Sequence, residues 1–180
     1  MSARALFLDR DGVINVDYGY VGDLERFVFM DGVFDLCRAA VGRGFRLAVV
    51  TNQSGVARGY YDMSAVSRLH AAMERAFIEA GAPLTAVAVC PFLRGGSVPD
   101  YARDSYWRKP NPGMILETAR RFGLDPARSA LIGDSATDMR AARAAGIGLR
   151  LRLAPAGTED PDADFVAPDL RQAAARLFAA

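Results

Sequence analysis

Cysteine and histidine are scarce in this sequence, and no long apolar run interrupts it. The 180 residues include 2 cysteines, Cys37 and Cys90, and 1 histidine, His70. Two cysteines cannot organise a disulfide scaffold, and reduced thiols in a cytoplasmic protein are the simplest interpretation. No apolar run approaches the ~20 residues that a membrane-spanning helix needs, and the run at residues 5–8 is too short for a signal peptide core. We therefore expect a cytoplasmic chain that does not enter membranes.

The sequence also lacks an excess of charge of either sign. Lys and Arg number 22 against 21 Asp and Glu, which gives a net charge of +1. Proteins that bind nucleic acids or anionic membranes through their charge normally carry a basic excess, so neither partner is expected. Hydrophobic residues make up 51% and charged residues 24%, proportions typical of a globular protein. A chain of this length predicts a single domain over residues 1–180.

Short apolar segments alternate along the chain with longer amphipathic ones. The predicted strands are residues 5–8, 46–50, 86–89, 129–132, 148–151 and, with a weaker pattern, 165–167. The predicted helices are 64–80, 112–123, 136–145 and one beginning at 169, and the acidic segment 157–164 is typical of a solvated loop. This alternation predicts an α/β fold, a doubly wound parallel sheet flanked by helices. Such sheets bind ligands at the carboxyl ends of their strands, so the polar residues there are the candidate site.

Carboxylates follow two of the predicted strands. Asp9 and Asp11 follow the first strand, and alternate residues of an extended chain point to the same side, so both can face one small volume. Asp134 follows the fourth strand. A divalent cation such as Mg²⁺ would relieve the repulsion among such carboxylates. An ordinary turn at residues 9–12, and helix capping by Asp134 or Ser135, are the alternatives.

Polar and basic side chains follow the second and third predicted strands. Residues 51–55 read Thr-Asn-Gln-Ser-Gly, which suits phosphate binding by hydroxyls, amides and backbone N–H groups, or an ordinary polar turn. Lys109 lies before the helix predicted at Pro112, and Pro110 and Pro112 stiffen the backbone around it. A lone lysine is usually a solvated surface charge. Four such signals at successive strand ends favour a site for phosphate transfer.

These residues resemble the four motifs of the haloacid dehalogenase superfamily of phosphotransferases. The motif positions, in chain order, are Asp9-x-Asp11, Thr51, Lys109 and Asp134. Longer stretches at residues 8–21, 51–60 and 108–114 resemble one family within it, the D-glycero-D-manno-heptose 1,7-bisphosphate 7-phosphatases. The gaps between the motifs leave no room for a separately folded cap, so the resemblance implies a capless haloacid dehalogenase-like domain.

The resemblance implies an aspartyl-phosphate mechanism with Mg²⁺ as cofactor. Asp9 would be the nucleophile and Asp11 the general acid and base. Thr51 and Lys109 would stabilise charge on the transferring phosphoryl group. The implied metal ligands are Asp9, Asp11 through its backbone carbonyl, and Asp134. The implied substrate-binding residues are Arg10, Asp17, Tyr18, Gly19, Tyr20, Asn52, Gln53, Ser54, Arg58 and Arg108.

The implied substrate is a small phosphorylated sugar, and the implied reaction is removal of the carbon 7 phosphate of heptose bisphosphate, on the route to the nucleotide-activated heptose of the lipopolysaccharide core. Arg108 would hold the phosphate that remains at carbon 1. One alternative is a histidinol-phosphate phosphatase, whose substrate carries a cation in place of a second phosphate. Another is a non-catalytic phosphate-binding module, against which the presence of both Asp9 and Asp11 counts. We expect the chain to act as a monomer.

Two positions depart from the family's pattern. Members often hold the loop after the third strand with zinc bound by three Cys and one His, and of these only Cys90 is present here. Phe92, Ser105 and Trp107 occupy the other positions. One thiolate cannot hold structural zinc, so none is expected. Burial of apolar side chains should order this loop instead, the candidates being Phe92, Leu93, Tyr101, Tyr106 and Trp107. The second departure is Ser135, where a lysine follows the motif aspartate in some relatives.

Overall fold

Parallel strands form the centre of the structure, a computed structural model that describes residues 2–179. The six strands within these residues are β1 Arg4–Leu8, β2 Phe45–Asn52, β3 Leu84–Cys90, β4 Ala130–Gly133, β5 Leu149–Leu153 and β6 Phe165–Ala167. They pair in the order β3-β2-β1-β4-β5-β6, and every pairing is parallel. Since β1 pairs with β2 on one side and β4 on the other, the strand order reverses at β1. The predicted doubly wound α/β sheet is confirmed, and its ligand-binding crevice lies at the carboxyl end of β1.

Helices cover both faces of the sheet. They are α1 Val33–Gly42, α2 Gly55–Arg58, α3 Met63–Glu79, α4 Gly113–Phe122, α5 Ala136–Ala144 and α6 Leu170–Phe178. Buried side chains of α1, α3 and α6 pack in one cluster with Leu6 and Leu8 of β1, whereas those of α4 and α5 pack with Ala5 and Phe7. Successive residues of a strand point to opposite faces, so β1 is buried on both. None of the helices within residues 2–179 is both long enough and apolar enough to cross a membrane.

The predicted elements agree with the observed ones to within a few residues, and the differences have local causes. Helix α3 begins at Met63, because the side chain of Asp62 accepts a hydrogen bond from the N–H of Ala65 at 2.7 Å and caps the helix there. Strand β2 extends to Asn52, so Thr51 belongs to the strand and not to the turn that follows it. Its side chain is therefore held by the sheet.

The acidic segment 157–164 is more firmly attached than a solvated loop. Arg152 Nη1 lies 2.9 Å from Asp160 Oδ2, and the Asp160 side chain is only 2% exposed. Arg150 Nη2 lies 2.6 Å from Asp164 Oδ1. Both arginines belong to β5, so ion pairs connect this segment to the sheet.

Candidate active site

The carboxyl ends of three neighbouring strands bring the motif residues together at one edge of the sheet. Asp9 follows β1, Thr51 lies near the end of β2, and Asp134 follows β4. Lys109, from the loop before α4, reaches the same edge and forms an ion pair with Asp9. The residues that the motif order predicts to meet are thus adjacent in space.

Lys109 occupies the middle of this cluster. Its Nζ atom lies 2.8 Å from Asp9 Oδ1 and 2.5 Å from Asp138 Oδ1. It also donates a hydrogen bond to the carbonyl oxygen of Val50 at 2.8 Å. The ammonium group is thus surrounded by two carboxylate oxygens and one carbonyl oxygen. Burial alone would lower the pKa of Lys109, but Asp138 and Asp9 outweigh it and the pKa is raised. The side chain is therefore a fixed positive charge.

The backbone of Lys109 is fixed as well, by the side chain of Asn52. Asn52 Nδ2 donates to the carbonyl oxygen of Lys109 at 3.0 Å, and its Oδ1 accepts from the Lys109 N–H at 3.1 Å. Two hydrogen bonds from one amide join the end of β2 to the loop before α4. Asn52 therefore positions Lys109, and both ends of its amide are occupied by the protein.

Three carboxylates crowd beside this ammonium. Asp9, Asp134 and Asp138 each offer an oxygen, and these oxygens lie within 4.8 Å of one another. Burial, followed by the charge of Asp138, raises the pKa of Asp9 to about 8 and that of Asp134 to about 6. Lys109 contributes one positive charge against the three negative ones. A hard divalent cation is the species that such an oxygen cluster fits.

The turn after β1 requires a glycine at position 12. Gly12 has φ +79°, a conformation that other residues adopt at a cost. A Cβ atom there would also lie 2.1 Å from Asp134 Oδ2, which is far inside contact distance. The missing side chain of Gly12 thus allows the Asp134 carboxylate to approach the turn that carries Asp9 and Asp11.

Asp11 lies beside the crevice at the carboxyl end of β1, and several donors converge on its carboxylate. We call this crevice the cleft. Arg10 Nη2 donates to Oδ1 and Oδ2 at 2.8 and 2.9 Å. Asn15 Nδ2 donates to Oδ1 at 3.0 Å, and Gln53 Nε2 donates to Oδ2 at 2.9 Å. Gln53 Nε2 also donates to Thr51 Oγ1 at 2.9 Å. The side chain of Asp11 is thereby held in one orientation and linked to β2.

Comparison with known proteins places this arrangement in a family. A family model described as HAD-hydrolase-like matches residues 106–173. The D-glycero-alpha-D-manno-heptose-1,7-bisphosphate 7-phosphatase of Burkholderia mallei is 46% identical over 167 residues, which cover 93% of this chain and 86% of the relative. The chain belongs to the heptose-1,7-bisphosphate 7-phosphatase family of HAD-like hydrolases. It is accordingly a phosphoric monoester hydrolase.

Two further members of the family are similar to the chain. The D-glycero-beta-D-manno-heptose-1,7-bisphosphate 7-phosphatase of Yersinia pestis is 42% identical over 150 residues, covering 83% of this chain and 80% of the relative. The crystal structure of D,D-heptose 1,7-bisphosphate phosphatase from B. bronchiseptica, complexed with magnesium and phosphate, has a TM-score of 0.83 and 30% identity, with 98% of each chain covered. That relative therefore holds magnesium and phosphate on the same fold.

Most of the substrate-binding residues that the family resemblance predicts are exposed or half-buried. They are Asp17, Tyr18, Gly19, Tyr20, Ser54, Arg58 and Arg108. The loop at 17–20 is braced by Arg26, whose Nη2 donates to the carbonyl oxygens of Tyr18 and Gly19 at 2.7 and 3.1 Å. Arg58 lies over the Tyr20 ring at 5.5 Å.

Arg10 and Gln53, which the family resemblance also predicts to bind substrate, are enclosed by protein. Their side chains are buried, with the whole residues 0% and 1% exposed, and both donate to Asp11. Their hydrogen bonds are made to other side chains of the protein, those of Arg10 to Asp11 and His70 and those of Gln53 to Asp11 and Thr51. The structure therefore gives these two residues, like Asn52, a positioning role within the protein.

The loop after β3 departs from our expectation in part. Phe92 and Tyr101 are half-buried with their ring centroids 5.9 Å apart, and Leu93 is half-buried as well. Tyr106 and Trp107, however, are 62% and 40% exposed, so the expectation that they are buried was wrong. Hydrogen bonds order this part of the loop instead. They run from Arg108 Nη1 to the Phe92 carbonyl oxygen at 3.2 Å, from Asn111 Nδ2 to the Ser105 carbonyl oxygen at 3.1 Å, and from the Gly113 N–H to the Tyr106 carbonyl oxygen at 3.2 Å.

Asp138 is the functional residue that sequence reasoning missed. Asp138 and Ser135 form a capping box at the start of α5, with Ser135 Oγ donating to Asp138 Oδ2 at 2.6 Å. This explains the spacing of the two residues, but Asp138 Oδ1 is also an ion-pair partner of Lys109. The available signal was the pairing of two carboxylates four residues apart after one strand. Ser135 caps the helix, which is one of the alternatives left open for it.

Proposed function

We propose that this chain removes the carbon 7 phosphate of D-glycero-D-manno-heptose 1,7-bisphosphate through an aspartyl-phosphate formed on Asp9. The observation that carries the proposal is the ion-paired carboxylate of Asp9 at the carboxyl end of the central strand. Its Oδ1 is held by Lys109 at 2.8 Å and by the N–H of Arg10 at 2.8 Å. A nucleophile that is already held in one orientation loses little further conformational freedom in the reaction.

Asp9, Asp134 and the backbone carbonyl of Asp11 would hold the Mg²⁺ cofactor. Both Asp138 oxygens are already engaged, one by Lys109 and the other by Ser135, so we leave Asp138 outside the ligand set. When bound, the ion would offset the repulsion between the carboxylate nucleophile and the phosphate. The closeness of Asp9 and Asp134 supports this, because a bound cation relieves the repulsion between crowded carboxylates.

The reaction then divides into two displacements. A carboxylate oxygen of Asp9 attacks phosphorus, the bond from phosphorus to the carbon 7 oxygen breaks, and Asp11 gives that oxygen a proton. In the second displacement Asp11 takes a proton from water, the water oxygen attacks the same phosphorus, and inorganic phosphate leaves Asp9 as a free carboxylate. Lys109 and Thr51 would stabilise the charge on the phosphoryl oxygens.

Arg108 would bind the phosphate at carbon 1. Its guanidinium is half-buried beside Lys109 in the chain, and its contact with the Phe92 carbonyl oxygen fixes the side chain without neutralising it. A cation that contacts a carbonyl oxygen and no carboxylate suits a substrate that carries a second phosphate. Histidinol phosphate has a cation at the corresponding end, which Arg108 would repel.

A substrate comparison tests this assignment. We would measure kcat/KM for both anomers of the heptose bisphosphate and for histidinol phosphate. The value for a bisphosphate should be higher than the value for histidinol phosphate. Arg108→Ala should lower kcat/KM for the bisphosphate by about ten- to hundredfold, the equivalent of one lost charge-assisted contact, and affect a simple phosphomonoester much less. Equal losses on both substrates, or a preference for histidinol phosphate, would contradict the proposal.

The proposal extends to the metal content and the setting of the reaction. Residues 1–180 would act as one capless, monomeric domain in the cytoplasm, without nucleic acid or membrane partners, in the supply of nucleotide-activated heptose for the lipopolysaccharide core. No structural zinc would be needed, because hydrogen bonds and the Phe92–Tyr101 contact order the loop after β3. Elemental analysis should find no tightly bound zinc. Activity lost in EDTA should return with Mg²⁺ alone, and a requirement for added zinc would refute this point.

A further inference from the structure

Two side chains outside every motif complete the hydrogen-bond network around Asp11. The first is Tyr61, whose hydroxyl donates to Gln53 Oε1 at 2.8 Å. With its oxygen accepting from Tyr61, the Gln53 amide must direct its nitrogen toward Asp11 Oδ2, 2.9 Å away. Tyr61 therefore determines which end of the Gln53 amide faces the carboxylate.

The ring of Tyr61 lies in a slot formed by two glycines. A Cβ atom at Gly22 would lie 2.2 Å from the ring, and one at Gly55 would lie 2.4 Å from it. These glycines belong to the loop after residue 20 and to the start of α2, so the ring joins two segments beside the cleft. Burial raises the pKa of Tyr61 to about 12, so its hydroxyl keeps the proton that it donates.

The second side chain is His70, on α3. Its Nε2 lies 3.2 Å from Arg10 Nη1, and a guanidinium can only donate, so this nitrogen accepts and the imidazole is neutral. Burial and the charge of Arg10 lower the pKa of His70 to about 4, in agreement with that form. Arg10 Nη2 also donates to the carbonyl oxygen of Val21 at 2.5 Å. His70 thus holds one end of the guanidinium whose other end binds Asp11.

We infer that Tyr61 and His70 are positioning residues for Asp11, Tyr61 through Gln53 and His70 through Arg10. The inference rests on the proposed acid–base role of Asp11. Both connections also contact the segment that follows the 17–20 loop, at Gly22 and Val21. The orientation of the acid and the position of a substrate-binding loop consequently depend on the same two supports.

The dependence of rate on the leaving group tests this inference. A sugar hydroxyl is a poor leaving group that needs a proton from Asp11, whereas p-nitrophenolate leaves from p-nitrophenyl phosphate without one. Tyr61→Phe keeps the ring and removes only the hydroxyl, and His70→Leu removes the acceptor for Arg10. Each should lower kcat/KM for heptose bisphosphate about tenfold, a part of the 10²–10⁴-fold that general acid catalysis supplies, and lower kcat/KM for p-nitrophenyl phosphate less than about threefold.

Three further variants separate positioning from general damage. His70→Gln keeps an acceptor and should restore most of the loss seen in His70→Leu. Tyr60→Phe removes the hydroxyl of the adjacent, exposed tyrosine and should keep the wild-type ratio of the two kcat/KM values. Asp11→Asn should show the largest change in that ratio.

The outcomes distinguish the inference from the function on which it rests. If Asp11→Asn changes the ratio but Tyr61→Phe and His70→Leu do not, the inference is overturned and the proposed role of Asp11 stands. If Asp11→Asn leaves the ratio unchanged, the acid–base role itself fails, and the inference with it. Should His70→Leu not fold, as judged by circular dichroism, Tyr61→Phe decides the question alone because its packing is retained.

Discussion

Lys109 is the residue on which the charge balance of the site depends. Its ammonium is buried among Asp9, Asp138 and the Val50 carbonyl oxygen. Breaking a buried ion pair by removing one partner costs more than the pair contributes, because the remaining charge stays buried without compensation. Lys109 therefore serves the stability of the fold as well as the chemistry.

Lys109→Met should impair both properties. We expect kcat/KM to fall by at least about a hundredfold through the loss of charge stabilisation at the phosphoryl group. The free energy of unfolding should fall by about 3–5 kcal/mol, because Asp9 and Asp138 lose their buried counter-charge. Urea unfolding measures the second effect, with Lys109→Arg, which keeps the charge, as the matched control. An unfolding free energy within experimental error of wild type would show that the ion pairs do not stabilise the fold.

His70 should make the stability of the protein depend on pH. Its pKa is about 4 in the folded protein and near 6.5 in an unfolded chain, so the unfolded chain binds the proton more readily. The free energy of unfolding should therefore decrease as the pH falls from about 6.5 toward about 4. Between pH 7 and pH 5 this contribution amounts to about 2 kcal/mol.

Urea titrations of wild type and His70→Gln at both pH values test this directly. Other groups titrate in both proteins and cancel in the difference, so the stability advantage of wild type should shrink at pH 5. An advantage that is equal at the two pH values, or larger at pH 5, would mean that His70 is charged in the folded protein.

At the scale of elements, the turns and loops at the strand ends are held by contacts between residues far apart in sequence. Arg152 on β5 is an example, since it pairs with the buried Asp160 and its Nε donates to the backbone carbonyl oxygen of Asp134 at 3.3 Å. Local sequence shows only an acidic segment and an arginine in a strand. Their pairing depends on how β5 packs against the 157–164 segment, and a local sequence pattern does not show that packing.

Arg152→Met should weaken both the loop and the metal site. Asp160 would be left buried and unpaired, which we expect to lower the free energy of unfolding by about 1–3 kcal/mol. The turn that carries Asp134 would lose a contact, so a higher Mg²⁺ concentration should be needed for half-maximal activity. Arg143→Met is the matched control, because Arg143 is 65% exposed in its pair with Asp162 and should cost little. Equal effects of the two substitutions would contradict the assignment.

For the whole molecule, the sheet could be predicted from sequence because its central strands contain short continuous apolar runs, such as residues 5–8 of β1 and 47–50 of β2. Because β2 and β4 are the neighbours of β1, the carboxyl ends of these three strands bring Asp9, Thr51 and Asp134 together. The bounds of helix α1 could not be predicted because Gly32, the residue before it, offers no side-chain cap, and α2 has only four residues. The supports of Asp11 were missed because Tyr61 and His70 reach it only through other side chains.

The proposed mechanism requires Asp9 to carry the phosphoryl group during turnover. The most direct measurement is rapid quenching of the protein with heptose bisphosphate, followed by mass spectrometry of the peptide that contains Asp9, alongside steady-state phosphate release by Asp9→Asn. We predict that the phosphoryl group is found on the Asp9 peptide before the first turnover is complete. Asp9→Asn should remain folded, carry no phosphoryl group and release negligible phosphate. Phosphate release by Asp9→Asn at a rate comparable to wild type, or a phosphoryl group on another residue, would contradict the account.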